Sequence, residues 1–391
     1  MKRTQTLAVW ITMLVLVAMP SVLGAGSQTW LRSYEGENYG AFYDILQADE
    51  DHVVVTGTTY HSQTATTLGD VIVAKLTMDG DIVWEMTYGG DALDQGLYLD
   101  KTFDGGYLVF GETESMGAGK RDLYLAHITS EGVLLWERTI GGAGTDWAKD
   151  MIPTADGGFV LLGETDSFNE DFDAYVIRLD SNGDEVWSKT LDTGANDSGT
   201  AILEAENGDL LVMAVISYPG GSKDMYRDTR LYRLDSTGNV LWNVLYRGEN
   251  KQAGDGMAWT TDGDIVIAGL SEDLSFSTAL YDFWLARVDG DTGELQWSVI
   301  EGRTSADDYG LAISTSMNGE YLVAGLGPAF PLLKFNEDGT LMWIRNGATD
   351  LSIYAGFAVL PLGDGSYLIP GFHYLQRVGD AFDAVLLRYY E

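Results

Sequence analysis

Apolar and polar positions alternate along this chain in short runs, each bounded by glycine-containing turns. Five runs open on aspartate: DVIVAKL from Asp70, DLYLAHI from Asp122, DAYVIRL from Asp173, DFWLARV from Asp282 and DAVLLRY from Asp383. A second group follows a DG turn: DGGYLVFGET at 104–113, DGGFVLLGET at 156–165, DGDIVIAGL at 262–270 and DGSYLIPGF at 364–372. A two-residue period in runs of this length, rich in Val, Ile, Leu and aromatic residues, predicts β-strands joined as hairpins. No segment after residue 25 carries a helical period over a useful length.

The runs recur as one unit. A glycine followed four residues later by tryptophan appears at Gly80/Trp84, Gly132/Trp136, Gly183/Trp187, Gly238/Trp242, Gly293/Trp297 and Gly339/Trp343. Successive tryptophans lie 52, 51, 55, 55 and 46 residues apart, a period that belongs to propellers and solenoids. Each unit reads as four strands, the last carrying the tryptophan. Seven copies of the second strand can be placed, yet the last unit ends at AVLLRYYE with no tryptophan strand. The missing strand stands at the other end, where TWLRSYEG at 29–36 matches the tryptophan segments WEMTYGG and WERTIGG. A strand from each terminus sharing one sheet closes a ring without an open edge. The prediction is an all-β, seven-bladed β-propeller of four-stranded blades, one domain over residues 27–391, closed by the N-terminal strand joining the C-terminal blade. A linear β-solenoid would not need the N-terminus to supply the strand that the C-terminus lacks.

Composition narrows the functions. With 45% hydrophobic positions the chain buries a sizeable core, and 48 glycines against 7 prolines suit many tight turns. The 59 acidic and 23 basic residues give a formal charge of -36, which repels phosphate backbones and anionic headgroups. No nucleic-acid partner is expected. Absence of cysteine excludes disulfides, thiolate metal sites and a cysteine nucleophile.

Residues 1–24 differ from the rest. Lys2 and Arg3 precede an apolar run from Leu7 to Met19, and Pro20 leads into SVLGAG. That is the layout of a secretory signal peptide, cleaved near Gly24 or Ala25. The apolar run is shorter than a membrane span requires. The expected product is a secreted or envelope-side protein, monomeric and without a membrane span after signal removal.

The segment VDGDTGELQW at 288–297 resembles the tryptophan-docking repeat of the quinoprotein (PQQ-type) propellers, and LDSNGDEVW and LDSTGNVLW are shortened versions. The DGGY and DGGF units are similar to repeat modules of secreted bacterial and archaeal propellers. The resemblance covers nearly the whole mature chain and implies the propeller architecture. Quinoprotein dehydrogenases also carry a vicinal disulfide at the cofactor, which a cysteine-free chain lacks, and no calcium–quinone constellation is visible. The resemblance therefore implies the fold and argues against the dehydrogenase.

Few residues stand out as chemistry. Trp30, Trp84, Trp136, Trp187, Trp242, Trp297 and Trp343 recur in every blade, which suits wedges between blades rather than ligand stacking. Segments such as DSNGDE at 180–185 contain fragments of calcium loops, but hairpin turns need the same residues. Counting back ten residues from each DG or NG turn reaches Asp94, Asp146, Asp197, Gln252, Asp308 and Tyr354. Asp94, Asp146, Asp197 and Asp308 thus form a partial ring at one channel mouth, where they hold a divalent cation such as calcium or each cap their own turn. No other cofactor is expected. The histidines His52, His61, His127 and His373 have no metal-ligand spacing, and no hydrolase or P-loop motif is present. No catalytic residue is assigned.

The expected function is a non-enzymatic binding or scaffold propeller that takes an extracellular protein or glycan partner on its loop-rich face. Its specificity would lie in the loops 58–69, 217–227, 271–281 and 373–382. The alternative is an extracellular enzyme, a polysaccharide hydrolase or lyase or a degenerate quinoprotein. It would need non-repeating carboxylates, or a carboxylate with Tyr or Arg, converging at the channel mouth.

Overall fold

The computed structural model describes residues 29–34, 39–60, 69–218, 226–247, 251–273, 280–302, 309–316, 318–326, 331–346, 353–375 and 381–390. Seven antiparallel blades follow one another around a ring. Blade 1 comprises Tyr39–Gln47, His52–Tyr60, Val71–Thr77 and Ile82–Tyr88. Blade 2 runs Asp94–Lys101, Tyr107–Thr113, Asp122–Ile128 and Leu134–Ile140, and blade 3 runs Asp146–Pro153, Phe159–Thr165, Asp173–Leu179 and Glu185–Leu191. Blade 4 holds Asn196–Glu204, Leu210–Tyr218, Tyr226–Leu234 and Val240–Tyr246; blade 5 holds Lys251–Trp259, Ile265–Asp273, Leu280–Val288 and Leu295–Glu301. Blade 6 is Tyr309–Thr315, Tyr321–Leu326, Pro331–Phe335 and Leu341–Asn346.

Blade 7 is assembled from both ends of the chain. Ile353–Gly356 with Leu360–Pro361, Ser366–Leu375 and Ala381–Tyr390 come from the C-terminus. Trp30–Tyr34 supplies the outer strand, pairing Trp30 with Arg388 and Tyr34 with Ala384. This is the predicted closure. Along Ala384–Arg388 the strand gains a partner where it would otherwise present an open edge.

The core is distributed over the junctions between blades. One buried apolar layer lies between each neighbouring pair, such as Leu108, Phe110 and Leu125 of blade 2 against Phe159, Leu161 and Ile177 of blade 3. The same holds between blades 3 and 4, and between blades 7 and 1. Second and third strands are therefore covered on both faces, and Tyr107–Thr113 is buried at every position. That explains the near-continuous apolar runs after the DG turns. Fourth strands face solvent on one side and alternate accordingly.

Two repeated devices set the blade geometry. Tryptophan of one blade lies over the glycine turn of the next: Trp84 on Gly132, Trp187 on Gly238, Trp242 on Gly293 and Trp297 on Gly339. These glycines sit at φ between 72° and 83°, in the left-handed region. A side chain there would be strained and would also collide with the indole. On the face of the short DG and NG turns, a basic side chain of each third strand meets an acid of the second-strand turn. The pairs are Lys75–Asp49, His127–Asp104, Arg178–Asp156, Arg233–Asp209, Arg287–Asp264, Lys334–Glu320 and Arg388–Asp364.

Candidate functional site

On the opposite face the longer connections emerge, and buried carboxylates hold their bases. Asp94 Oδ2 accepts from the Gly90 amide at 2.7 Å and from Ser115 Oγ at 2.7 Å. Asp146 Oδ2 does the same with Gly142 at 3.0 Å and Ser167 Oγ at 2.9 Å. Asp197 Oδ2 accepts from the Thr193 amide at 2.6 Å and the Thr193 hydroxyl at 2.8 Å. All three carboxylates are fully buried. Each pins the loop leading into its own blade, and Asp308 lies outside the described residues. The third-strand aspartates come to the same corners. Asp122 and Asp146 flank Gly141 so closely that a Cβ there would meet both carboxylates. The parallel bridges Gly69–Leu93 and Arg121–Thr145 tie neighbouring blades on this face.

The loop segments 61–68, 219–225, 274–279 and 376–380, which make up most of the four expected specificity loops, lie outside the described residues. Two of the second-to-third-strand loops on this face are described in full, those of blades 2 and 3. In blade 2, Thr113 Oγ1 accepts from the Ser115 and Met116 amides. In blade 3, Thr165 Oγ1 accepts from the Ser167 amide, and Phe168, 53% exposed, stands edge-on to Tyr175 at 5.3 Å.

The channel holds a second constellation that sequence reasoning missed. First strands bulge near their middles, between Phe42 and Asp44, Gly96 and Tyr98, Ala148 and Asp150, and Gly254 and Gly256. The extra residue turns successive side chains toward the axis. A cavity of about 400 Å³ results, lined on one side by Asp44, Tyr98, Asp100, Lys149, Asp150 and Asp255. Its other wall is apolar, formed by Leu311, Ile313, Phe357 and Val359 among others. Blade repetition is thus broken at the axis, with acid from blades 1, 2, 3 and 5 facing hydrocarbon from blades 6 and 7.

Two of these carboxylates also brace neighbouring blades. Asp44 accepts from its own Ile45 amide and from Leu99 of blade 2, each at 2.8 Å. Asp150 accepts from Met151 and from Ile202 of blade 4, each at 2.8 Å. Burial at the axis pushes Asp44, Asp150 and Asp255 up to about 7. The amide bonds oppose this for Asp44 and Asp150, and Arg227 and Lys149 oppose it for Asp255. Tyr98 is driven well above the ordinary phenol value by burial and by the surrounding carboxylates. Lys149 Nζ pairs with Glu164 at 2.6 Å. The signal for this site was an aspartate inside an otherwise apolar strand, as in FYDILQ and AKDMIP.

Comparison with known proteins agrees with this architecture. A family model described as outer membrane protein assembly factor BamB matches residues 130–307 and 173–350. Together the matches span more than half of the chain, so the chain belongs to this family of PQQ-like propellers. No curated protein matches. Among solved structures it is similar to polysaccharide lyase Uly1, with a TM-score of 0.58 and 11% identity over 89% of each chain. It is also similar to a PL25 ulvan lyase bound to a sulfated disaccharide repeat, with a TM-score of 0.55 and 10% identity, covering 89% of this chain and 93% of that one. A putative 6-phosphogluconolactonase from Bacteroides fragilis gives a TM-score of 0.53 and 12% identity, covering 87% and 95%. Similarities at these identities establish the propeller fold.

Proposed function

We propose that this chain is a non-enzymatic binding propeller of an extracytoplasmic compartment, and that its loop-bearing face docks a polypeptide partner. One observation carries the reading: the buried corner aspartates are committed to holding loop bases, so the repeated acid builds a platform rather than a reaction centre. Above that platform the loops differ from blade to blade, and Phe168 offers an exposed aromatic edge. A chain with a formal charge of -36 favours a partner with a basic surface. The family model's description as an outer membrane protein assembly factor supports a protein-docking role on the far side of the inner membrane. The apolar run Leu7–Met19 behind Lys2 and Arg3 supports export.

The test replaces residues 274–279, between the paired strands of blade 5, with a short Gly-Ser turn and, separately, Phe168 with Ser. Both variants should keep the wild-type circular dichroism spectrum and lose a cross-linked polypeptide partner recovered from the envelope or medium. Recovery of a glycan instead would reassign the partner, and an unchanged capture profile would remove the docking reading.

A second reading is an extracellular enzyme acting on a polysaccharide at the channel. It is favoured by Asp44, Asp150 and Asp255 gathering with Tyr98 and Lys149 around one cavity. Against it, Asp44 and Asp150 each spend both oxygens on backbone amides. Turnover in a polysaccharide screen that Asp255→Asn abolishes would favour this reading over docking.

A further inference from the structure

Where blade 3 passes to blade 4, three carboxylates meet. Asp173 opens the third strand of blade 3, Asp197 lies in the first strand of blade 4, and Asp192 stands in the connection between the two blades. One oxygen from each lies within 4.8 Å of the others. Asp173 and Asp197 are fully buried, while Asp192 is exposed. Asn169 Nδ2 donates to Asp173 Oδ2, but Asp173 Oδ1 is buried with no hydrogen-bond partner. A buried, unsatisfied carboxylate oxygen beside two further carboxylates is costly unless a cation compensates it.

Asp94 Oδ1 and Asp146 Oδ1 are likewise buried without a hydrogen-bond partner, so what sets this corner apart is the third acid brought to the orphaned oxygen. The residue five positions before the first-strand acid is Gly89 ahead of Asp94 and Gly141 ahead of Asp146, and among the described residues no third carboxylate groups with the acids of those corners. In the next corner round, that position is Arg247 and the acid has become Gln252. Arg247 Nε donates to Asp228 Oδ2 at 2.8 Å, supplying the cation from within the chain. Asp192 occupies the same position with the opposite charge. The corner therefore gains a third acid where one neighbour has glycine and the other a built-in guanidinium.

We propose that Asp173, Asp192 and Asp197 form a binding site for a calcium-sized divalent cation between blades 3 and 4. Three carboxylates offer only hard oxygen donors, and the exposed side of Asp192 leaves room for the water ligands that complete such a shell. The buried pair fixes two donors in advance, and Asp192 closes the site from the solvent side. Bound there, the ion links the third strand of blade 3 to the first strand of blade 4. Only Asp197 is shared with the channel-mouth ring expected from the sequence, and its partners here are different.

The experiment titrates calcium chloride into chelator-treated full-length protein, by calorimetry and by thermal unfolding, against sodium chloride at equal ionic strength. Wild type should bind one ion at this corner and gain about 2–5 °C in Tm at saturation, which sodium does not reproduce. D192G copies the neighbouring corners and should bind at least tenfold more weakly. D192R copies the Arg247 corner and should raise Tm in chelator while losing the response to calcium. D146N, in a corner without a third acid, should leave the response unchanged. A calcium response that survives in D192G, or one that sodium chloride reproduces, overturns the site. Because Asp192 is exposed, neither of its variants is expected to prevent folding.

Discussion

Trp136 of blade 2 lies over Gly183 of blade 3, its indole 2.6 Å from the point where a Cβ on that glycine would sit. Gly183 has φ 77°, so an alanine there is penalised twice, by the backbone and by the ring. The left-handed conformation alone costs about 1–2 kcal/mol for a residue with a Cβ. Displacing a packed indole adds about 1–3 kcal/mol. Gly208 supplies the comparison, with φ 81° and nothing within 4 Å of its added Cβ. Gly183→Ala should therefore destabilise by at least about 1 kcal/mol more than Gly208→Ala in denaturant unfolding. Equal losses would mean that the tryptophan contributes nothing through this contact.

The channel aspartates make stability depend on pH in an unusual direction. Asp44, Asp150 and Asp255 keep their protons up to about 7 in the folded chain, whereas an unfolded aspartate releases its proton near pH 4. Between those values the native state binds more protons, so this contribution falls as pH rises. Asp156 acts oppositely: Thr154 and Arg178 hold it down to about 2, and its contribution disappears as pH drops from about 4 toward that value. Thermal unfolding should show a maximum near pH 4–6 and a decline toward pH 8. Asp255→Asn removes one of these charges and leaves intact the amide bonds that Asp44 and Asp150 accept. It should raise Tm at pH 8 and change it little at pH 5. A wild-type profile still rising between pH 6 and pH 8 would contradict the assignment.

His127 stands where the other blades place Lys75, Arg178, Arg233, Arg287, Lys334 and Arg388. Its Nε2 lies 3.3 Å from Asp104, a longer contact than most of its counterparts make. His127→Arg brings a permanent charge and a fork that reaches the same carboxylate. With Asp104 more than half exposed, the gain should be modest, about 0.5 kcal/mol, and should shrink in 1 M salt. Chemical denaturation at pH 8 in low and high salt measures it.

Removing residues up to Tyr34 deletes the partner of Ala381–Tyr390 and leaves that strand as an edge. The shortened chain should melt earlier and associate with itself in a concentration-dependent way, as read by light scattering. A synthetic peptide spanning Thr29–Tyr34 should restore the monomer, and a truncated chain that stays monomeric and equally stable would contradict the closure.

Fold was legible because its determinants repeat. A glycine, a tryptophan four residues on and a DG turn occur in blade after blade, and their offsets place four strands per unit and expose the missing one. Trp30 and the tail AVLLRYYE were enough to predict the shared blade. The channel cavity was not legible for the opposite reason. Asp44 and Asp150 follow the bulge while Asp255 sits within it, and a bulge shifts the two-residue period that tells inward from outward positions. Asp192 was hidden differently: it looks like one more acid in an acidic chain until its place is compared with Gly141 and Arg247.

Blade 7 also imposes an order of events. Thr29 and Tyr390, joined by a hydrogen bond between the Thr29 hydroxyl and the Tyr390 amide, are 361 residues apart, so the first strand made waits for the last. Closing so long a loop costs about 5 kcal/mol of chain entropy if nothing else has folded. Six blades that assemble by local hairpins bring the two ends together beforehand and remove most of that cost. Trp30–Tyr34 then acts as a latch, seated once Ala381–Tyr390 is in place. Any chain cut short before Ala381 leaves the latch with nothing to engage.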